Sequence, residues 1–203
     1  MSKFEKKFYV VWEGRTPGIY TDWQTCEQQV KSFPGARFRS FSNYKIAEEA
    51  FTQNYTQFTQ QKLYERFPTI EKNSICVDAA CNGSPGRLEY RGVEMVSSEI
   101  IFHKQFPLGT NNIGEFLAIV HALAWLAERQ RNTTTVYSDS KIAIKWVNDK
   151  KTRSRLIHNA ETASLHALLI RAEHWLQSHT VTNPILKWLT KQWGQIPADF
   201  GRK

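Results

Sequence analysis

Four acidic residues stand where a carboxylate could bind a metal ion or move a proton. Asp78 follows an apolar, strand-like run and leads into a Gly-rich turn, and Asp139 ends a second such run. Glu115 falls in the first turn of a predicted helix, and Asp199 lies near the carboxyl terminus. An isolated charge buried in protein is costly, so a buried acid needs a cation or a basic side chain beside it.

Each of these acids also has a structural explanation. Glu115 could complement the dipole of its helix, Asp199 could be solvated, and either strand acid could pair with an Arg or Lys. Taken together in a basic chain, however, they are the set that two divalent cations need beside a phosphodiester. The combination indicates metal-assisted chemistry more strongly than any one acid does.

The hydrophobic pattern predicts the elements that must position these acids. Strands are expected at about 74–77, 89–96, 99–106, 133–137 and 184–188, and helices at about 110–127, 141–147 and 165–179. The first three strands are expected to be antiparallel. Residues 74–203 are therefore predicted to be an α/β domain with a mixed five-stranded sheet and flanking helices.

A smaller unit is predicted ahead of this domain. Residues 1–51 contain a β-rich run from Phe8 to Trp12, a helix beginning near Asp22, and a second helix capped by Ser42-Asn43. This pattern predicts a small α/β domain in which a sheet carries two helices. Residues 52–73 are rich in Gln and Thr, have no apolar stripe, and are predicted to be a linker.

Composition limits the classes of protein to which the chain can belong. Its 203 residues are 41% hydrophobic and 23% charged, which excludes wholly disordered, collagen-like and coiled-coil proteins. No apolar run is long enough to cross a bilayer, and the charged start does not resemble a secretory signal, so we expect a soluble cytoplasmic protein. The three cysteines have neither disulfide nor zinc spacing, and the net charge of +8 favours a polyanionic partner such as nucleic acid.

Four sequence blocks carry the acids. They are Asp78-Ala-Ala-Cys-Asn-Gly-Ser-Pro-Gly, Thr110-Asn-Asn-Ile-Gly-Glu-Phe, Tyr137-Ser-Asp-Ser and Trp193-Gly-Gln-Ile-Pro-Ala-Asp-Phe-Gly-Arg-Lys. From about Ser74 to Lys203 the chain resembles type 1 ribonucleases H, especially the bacterial members that end in Gly-Arg-Lys. The runs Phe8-Tyr-Val-Val, Asp22-Trp and Phe33-Pro-Gly-Ala-Arg-Phe-Arg-Ser-Phe resemble the hybrid-binding, viroplasmin-like module that precedes the nuclease in many members.

The resemblance implies a function and a metal site. It implies an endonuclease that hydrolyses the RNA strand of RNA/DNA hybrids by two-metal-ion catalysis and leaves 5′-phosphate and 3′-hydroxyl ends. Asp78, Glu115, Asp139 and Asp199 are the implied catalytic residues and metal ligands, with Asp78 bridging two Mg²⁺. Mn²⁺ is the alternative metal.

The resemblance also implies contacts with the substrate. The implied readers of ribose 2′-hydroxyls and of the DNA strand are Cys81, Gly83, Asn111, Asn112, Lys141, Trp146, Ser154 and Thr190. Other interpretations remain open for some of them, because the two asparagines could merely cap a helix. The basic run 141–155 could be a solvated face, and Trp146 could belong to the core.

In the first module the implied hybrid contacts are Tyr9, Trp23, Lys31, Phe38 and Arg39. Aromatic side chains in so small a unit are often its core. We expect Trp23 and Phe38 to be exposed and functional, whereas Phe8, Val10 and Phe41 pack inside.

Gln195 departs from the family pattern, because bacterial relatives usually carry Glu four residues before the last Asp. An amide cannot supply the charge that helps to hold or release a cation. The alternative function is therefore a protein that binds RNA/DNA hybrid or double-stranded RNA with weakened or lost catalysis. We expect a monomer in either case.

Overall fold

The computed structural model describes residues 7–201, which divide into two compact units between Pro68 and Thr69. Residues 1–6 of the predicted first domain and the last two residues of the Gly-Arg-Lys ending lie outside the described residues. None of the helices in residues 7–201 is long and apolar enough to cross a membrane.

The first unit contains a three-stranded antiparallel sheet and three helices. Its elements are β1 (Phe8–Glu13), β2 (Gly18–Tyr20), α1 (Trp23–Val30), β3 (Arg37–Phe41), α2 (Tyr44–Thr52) and α3 (Tyr55–Arg66). The strand order is β2-β1-β3. The side chains of Asp22 and Asn43 cap α1 and α2 by accepting backbone N–H groups, as the sequence predicts. Val11, Cys26 and Val30 form a small buried core between sheet and helix.

The segment predicted as a linker differs in the structure. Most of it forms α3, which begins with a capping box made by Asn54 and Gln57. Phe58 is buried and packs against the rings of Trp12 and Phe41, at centroid distances of 5.4 and 5.7 Å. The ring of Tyr55, also in α3, lies 5.3 Å from that of Trp12. Two aromatic rings therefore anchor this polar helix to the first unit, although the helix has no apolar stripe.

The second unit contains the predicted mixed five-stranded sheet with flanking helices. Its elements are β4 (Ser74–Gly83), β5 (Gly86–Glu94), β6 (Ile100–Gly109), α4 (Asn111–Glu128), β7 (Thr135–Ser138), α5 (Lys141–Asn148), α6 (Ala163–Ser178), β8 (Ile185–Lys187) and α7 (Thr190–Trp193). The strand order is β6-β5-β4-β7-β8. Strands β4, β5 and β6 are antiparallel, whereas β7 pairs in parallel with both β4 and β8.

Helix α4 packs against this sheet and forms the centre of the core. Its buried side chains include Ile113, Phe116, Ile119 and Leu123, which share one core with apolar residues of β4 and β5 such as Leu88. Burial of this apolar surface holds the start of α4 at a fixed position relative to the strands.

Strand β4 is longer than predicted. The expected Gly-rich turn over 78–86 is mostly strand, because the antiparallel ladder with β5 continues from Ile75 to Gly83, and only Ser84 and Pro85 connect the two. Asp78 therefore lies within β4 and not at its end. The parallel pairing with β7 does stop there, because its last pair is Val77 with Ser138.

Candidate active site

The structure brings together three of the four predicted acids. One carboxylate oxygen from each of Asp78, Glu115 and Asp139 lies within 4.8 Å of the others. Because Val77 and Ser138 are partners in parallel strands, the residues that follow them, Asp78 within β4 and Asp139 directly after β7, emerge at the same place. Glu115 reaches this place from the start of α4. Sheet register and helix packing together create the cluster.

A glycine allows the helix to approach closely enough. A Cβ atom on Gly114 would lie 2.6 Å from Cδ1 of Leu88 and 2.7 Å from Cβ of Ala79. These distances are too short for nonbonded carbon atoms, so any larger residue at 114 would push α4 away from the sheet. Glu115 is the next residue and depends on this contact for its position.

Hydrogen bonds orient Glu115 within the cluster. The amide of Asn111 donates to its Oε1 at 3.1 Å, and the hydroxyl of Ser138 donates to its Oε2 at 3.3 Å. Glu115 is only 4% exposed and Asp78 only 7% exposed. The cluster is therefore an oriented, largely dehydrated group of acids.

Burial and mutual repulsion oppose the ionisation of these acids. Burial is the main cause that raises the pKa of Glu115 to about 9, and the charges of Asp78 and Asp139 add to it. Burial also raises the pKa of Asp78 to about 7, with contributions from the charges of Asp139 and Asp199. A bound divalent cation relieves both effects, and carboxylate oxygens are ligands that hard cations such as Mg²⁺ and Mn²⁺ prefer. The residues present thus fit a divalent metal site.

The structure places Asp199 beside this group but outside the three mutually close carboxylates. Asp78, Asp199 and Phe200 line one cavity of about 850 Å³. The guanidinium of Arg91 donates to the carbonyl of Ala198 at 2.9 Å and lies over the ring of Phe200. A side chain from β5 therefore ties the terminal segment to the acidic cavity.

Some of the predicted substrate contacts line the same cavity. Cys81 and Asn111 are among its residues. Gly83 lies at the end of β4 with a φ of 113°, a conformation that disfavours side chains.

A second cavity, of about 490 Å³, lies beside the acidic cavity on the surface of the second unit. Its lining includes Asn112, Trp146, Arg153, Ser154 and Arg155. Because Asn111 lines the first cavity and Asn112 the second, the start of α4 separates two neighbouring depressions. Trp146 belongs to the core as well as to this wall, since it is 7% exposed and packs against Phe116. Lys141 and Thr190 are not among the residues that line either cavity.

The first unit carries an exposed aromatic group. The rings of Tyr9 and Trp23 are 5.5 Å apart, and those of Trp23 and Phe38 are 5.8 Å apart. Trp23 is 42% exposed and Phe38 is 41% exposed, whereas Val10 is fully buried. We call Tyr9, Trp23 and Phe38 the aromatic platform.

The other residues named with the platform have local partners. Lys31 pairs with Glu27 at 3.4 Å, and Arg39 lies over the ring of Phe58 at 5.7 Å. Phe8 and Phe41, expected inside, are only half-buried. Both pack against aromatic neighbours, Phe8 against Tyr44 and Phe41 against Trp12.

Sequence reasoning missed three residues that build the acidic site. They are Arg91, Gly114 and Ser138, which tie the terminal segment, permit close packing of α4 and orient Glu115. Their contacts join residues that are distant along the chain, and the only signals were the motif positions of Gly114 directly before Glu115 and of Ser138 directly before Asp139.

Comparisons with known proteins agree with this architecture. Residues 7–51 match the family model of the ribonuclease H1 N-terminal domain, and residues 71–190 match that of RNase H. A ribonuclease H of Schizosaccharomyces pombe is 23% identical over 257 aligned positions, which cover 97% of this chain and 96% of the relative. A ribonuclease H of Crithidia fasciculata is 43% identical over 51 residues, which cover 25% of this chain and 10% of the relative.

The chain is also similar to solved structures of RNase H proteins. They include the RNase H1 of the archaeon Halobacterium salinarum, with 19% identity, a TM-score of 0.38 and coverage of 62% of this chain and 91% of that one. They also include the N-terminal RNase H domain of a Mycobacterium tuberculosis protein, with 17% identity, a TM-score of 0.39 and coverage of 59% and 90%.

The five-stranded sheet with its flanking helices and the RNase H match define the class of the second unit as a ribonuclease H-like nuclease domain. The chain belongs to the ribonuclease H family, and it carries the ribonuclease H1 N-terminal domain ahead of the RNase H domain.

Proposed function

We propose that the protein is an endonuclease that hydrolyses the RNA strand of RNA/DNA hybrids and leaves 5′-phosphate and 3′-hydroxyl ends. The observation that carries this proposal is the convergence of Asp78, Glu115 and Asp139 within 4.8 Å at the point where β4 and β7 separate. One of the similar solved structures is an RNase H1 in complex with an RNA/DNA hybrid, and the proposed substrate is of the same kind.

On this proposal Asp78, Glu115, Asp139 and Asp199 hold two divalent cations, Mg²⁺ or alternatively Mn²⁺. When bound, such ions supply an activated water and stabilise the charge that develops on the leaving oxygen. The chain itself orients the ligands, because Asn111 and Ser138 fix Glu115 while Arg91 ties down the segment that carries Asp199.

On this proposal each of the two cavities binds one strand of the hybrid duplex. The acidic cavity, lined by Cys81 and Asn111 with Gly83 nearby, takes the RNA strand and reads its 2′-hydroxyls. The neighbouring cavity, with Trp146 and Ser154 beside two arginines, takes phosphates of the DNA strand. Lys141 and Thr190 contact the duplex outside these two cavities.

The first domain adds affinity. Its aromatic platform offers rings for sugars and bases at the shallow minor groove, and Lys31 and Arg39 contribute charge. The same surface accepts double-stranded RNA as a second partner. The domain limits proposed for these roles are 1–51 and 74–203.

The protein acts as a monomer in the cytoplasm on this proposal. Its three cysteines, Cys26, Cys76 and Cys81, are all free thiols, as suits a reducing compartment. Sedimentation with and without hybrid tests the monomer.

The function is tested with end-labelled RNA/DNA hybrid beside single-stranded RNA, duplex DNA and duplex RNA, each with Mg²⁺, Mn²⁺ or EDTA. The proposal expects metal-dependent cleavage of RNA in the hybrid alone, with 3′-hydroxyl ends that a poly(A) polymerase can extend. Binding of hybrid without cleavage under any metal would favour the alternative, a binding protein whose Gln195 weakens the metal site.

A further inference from the structure

The segment between α5 and α6 supplies much of the wall of the second cavity, of about 490 Å³, which we call the cationic cavity because Arg153 and Arg155 line it. Arg153, Ser154 and Arg155 all line that cavity, yet residues 149–162 contain neither helix nor strand. A segment without a hydrogen-bonded ladder keeps much conformational freedom unless other contacts fix it. The contacts that fix this one therefore decide where its two arginines point.

Glu173 of α6 makes the first of these contacts. Its Oε1 accepts the backbone N–H of Thr152 at 2.9 Å and the hydroxyl of Thr152 at 2.6 Å, and its Oε2 accepts the ammonium of Lys151 at 2.6 Å. Glu173 is 7% exposed, and burial alone would raise its pKa. The hydrogen bonds from Lys151 and Thr152 outweigh burial and lower the pKa, so the carboxylate is charged and bound by three donors.

Thr162 makes the second contact, at the other end of the segment. It is fully buried, and its hydroxyl donates to the carbonyl of Ile157 at 2.8 Å and accepts the N–H of Asn159 at 2.9 Å. These two contacts flank residues 153–156, and within that stretch Leu156 packs, partly buried, against the core. Arg153 has one further partner, Asp149, at 3.4 Å.

We propose that Glu173 is a positioning residue for the nucleic-acid substrate. It lines neither cavity, and it acts through Thr152 and Lys151 to hold Arg153, Ser154 and Arg155 against the strand in the cationic cavity. This inference rests on the proposed function. It assigns to Glu173 an effect on substrate affinity and not on the hydrolytic step, because the acidic cluster is oriented separately by Asn111 and Ser138.

A purely structural role for Glu173 is disfavoured by how α6 is held. Leu165, Leu169, Ala172 and Leu176 of this helix are buried in the core, so the helix docks without help from Glu173. The three donors to Glu173 all come from the connecting segment. Loss of the carboxylate should therefore loosen the segment and leave the sheet and helices folded.

The test compares Glu173→Ala with Glu173→Gln, Thr152→Val and the control Glu128→Ala. Glu128 is an exposed glutamate that pairs only with its neighbour Arg129 among the ion pairs of the described residues, so its removal changes net charge without releasing a segment. For Glu173→Ala we expect KM for hybrid to rise about tenfold with kcat within about twofold, as for loss of a charged hydrogen-bonded pair. Glu173→Gln, which keeps an acceptor for Thr152, and Thr152→Val, which keeps the backbone bond, should show smaller rises.

A second readout follows the segment without any substrate. Trypsin cleaves after Lys and Arg, and Arg153 is 70% exposed, so the rate of cleavage after Arg153 and Arg155 reports how well the segment is held. We expect faster cleavage there in Glu173→Ala than in Glu128→Ala, with little change in thermal midpoint. The salt dependence of hybrid binding should also weaken by roughly one to two phosphate contacts.

Equal KM and equal tryptic rates in Glu173→Ala and Glu128→Ala would overturn the proposal, as would a loss of kcat that merely follows the folded fraction. Faster cleavage by trypsin with unchanged KM would show a tether that does not serve the substrate, which also overturns it. If the wild type neither binds nor cleaves hybrid, the proposed function itself fails, and the tryptic comparison still reports on the tether.

Discussion

The acidic cluster of the second unit and the aromatic platform of the first are built in opposite ways. The cluster is assembled from β4, α4 and the end of β7; Asp78 and Glu115 are buried and Asp139 is half-buried, so its members are close enough to repel one another and two of them are largely dehydrated. The platform is exposed, and its rings lie on β1, α1 and β3, where they contact solvent and each other. Burial strengthens the electrostatic interactions of the acidic cluster but costs folding free energy. The exposed platform costs little folding free energy and contributes only a modest binding free energy.

This difference separates catalysis from affinity. Carboxylates act more strongly on a metal ion where water is scarce and geometry is fixed. Stacking of bases or sugars on rings needs access and tolerates small movements. Changes in the cluster should therefore alter rate and stability, and changes in the platform should alter binding alone.

The largest effect is expected for Asp139→Asn. The variant replaces one of three close carboxylates by an amide, which removes charge needed to hold the cations. We expect kcat to fall about a thousandfold, equivalent to about 4 kcal/mol, with hybrid affinity nearly unchanged. Cleavage and binding assays on the same preparation measure both. Retention of substantial activity would remove Asp139 from the catalytic set.

The next effect is a pH-dependent gain of stability in Glu115→Gln without metal. The pKa of Glu115 is raised to about 9 in the folded protein from an ordinary value of 4.5, so the folded state binds more protons between these values. Stability contributed by this group is thus fully present below pH 4.5 and is lost as pH rises towards 9. In EDTA, Glu115→Gln should exceed wild type at pH 8.5 by on the order of 1–2 kcal/mol and match it near pH 4.5.

Thermal or urea unfolding in EDTA at both pH values measures this difference. Glu128→Gln, at the exposed end of the same helix, is the matched control and should show no such trend. Mg²⁺ should stabilise wild type at pH 8.5 more than Glu115→Gln. A variant that is less stable than wild type at every pH would contradict the account of repulsion in the cluster.

Trp23→Ala tests whether the aromatic platform contributes to hybrid affinity. It removes the central ring of the platform, which touches both Tyr9 and Phe38. We expect hybrid affinity to fall about tenfold, equivalent to about 1.4 kcal/mol, with kcat at saturating substrate unchanged. Tyr44→Ala removes an equally exposed ring outside the platform and should bind nearly as wild type does. Equal hybrid affinities in the two variants would show that the platform does not contribute specifically to hybrid binding.

The smallest effect is expected for Gln195→Glu. Gln195 is exposed in the segment that leads to Asp199, so solvent screens a charge placed there. We expect kcat to change by less than about fivefold, the rate equivalent of about 1 kcal/mol, with the largest change at low Mg²⁺. Activity that appears only in Gln195→Glu would favour the alternative function of hybrid binding without turnover.

The sequence alone determined the types and order of the elements to a large extent. The caps at Asp22 and Asn43, the helix that begins near Asn111, and the five strands were all readable from local patterns. Local signals suffice there because capping and hydrophobic periodicity act over a few neighbouring residues. The motif blocks also brought the four acids forward as a set.

Only the tertiary structure decided how these parts meet. The parallel pairing of Val77 with Ser138 aligns Asp78 with Asp139, and Arg91 ties the terminal segment to the cavity. The same holds for Phe58, whose burial against Trp12 turns a predicted linker into a helix of the first unit. Each of these contacts joins residues far apart along the chain, and such contacts depend on sheet register and packing, which a local sequence pattern does not specify.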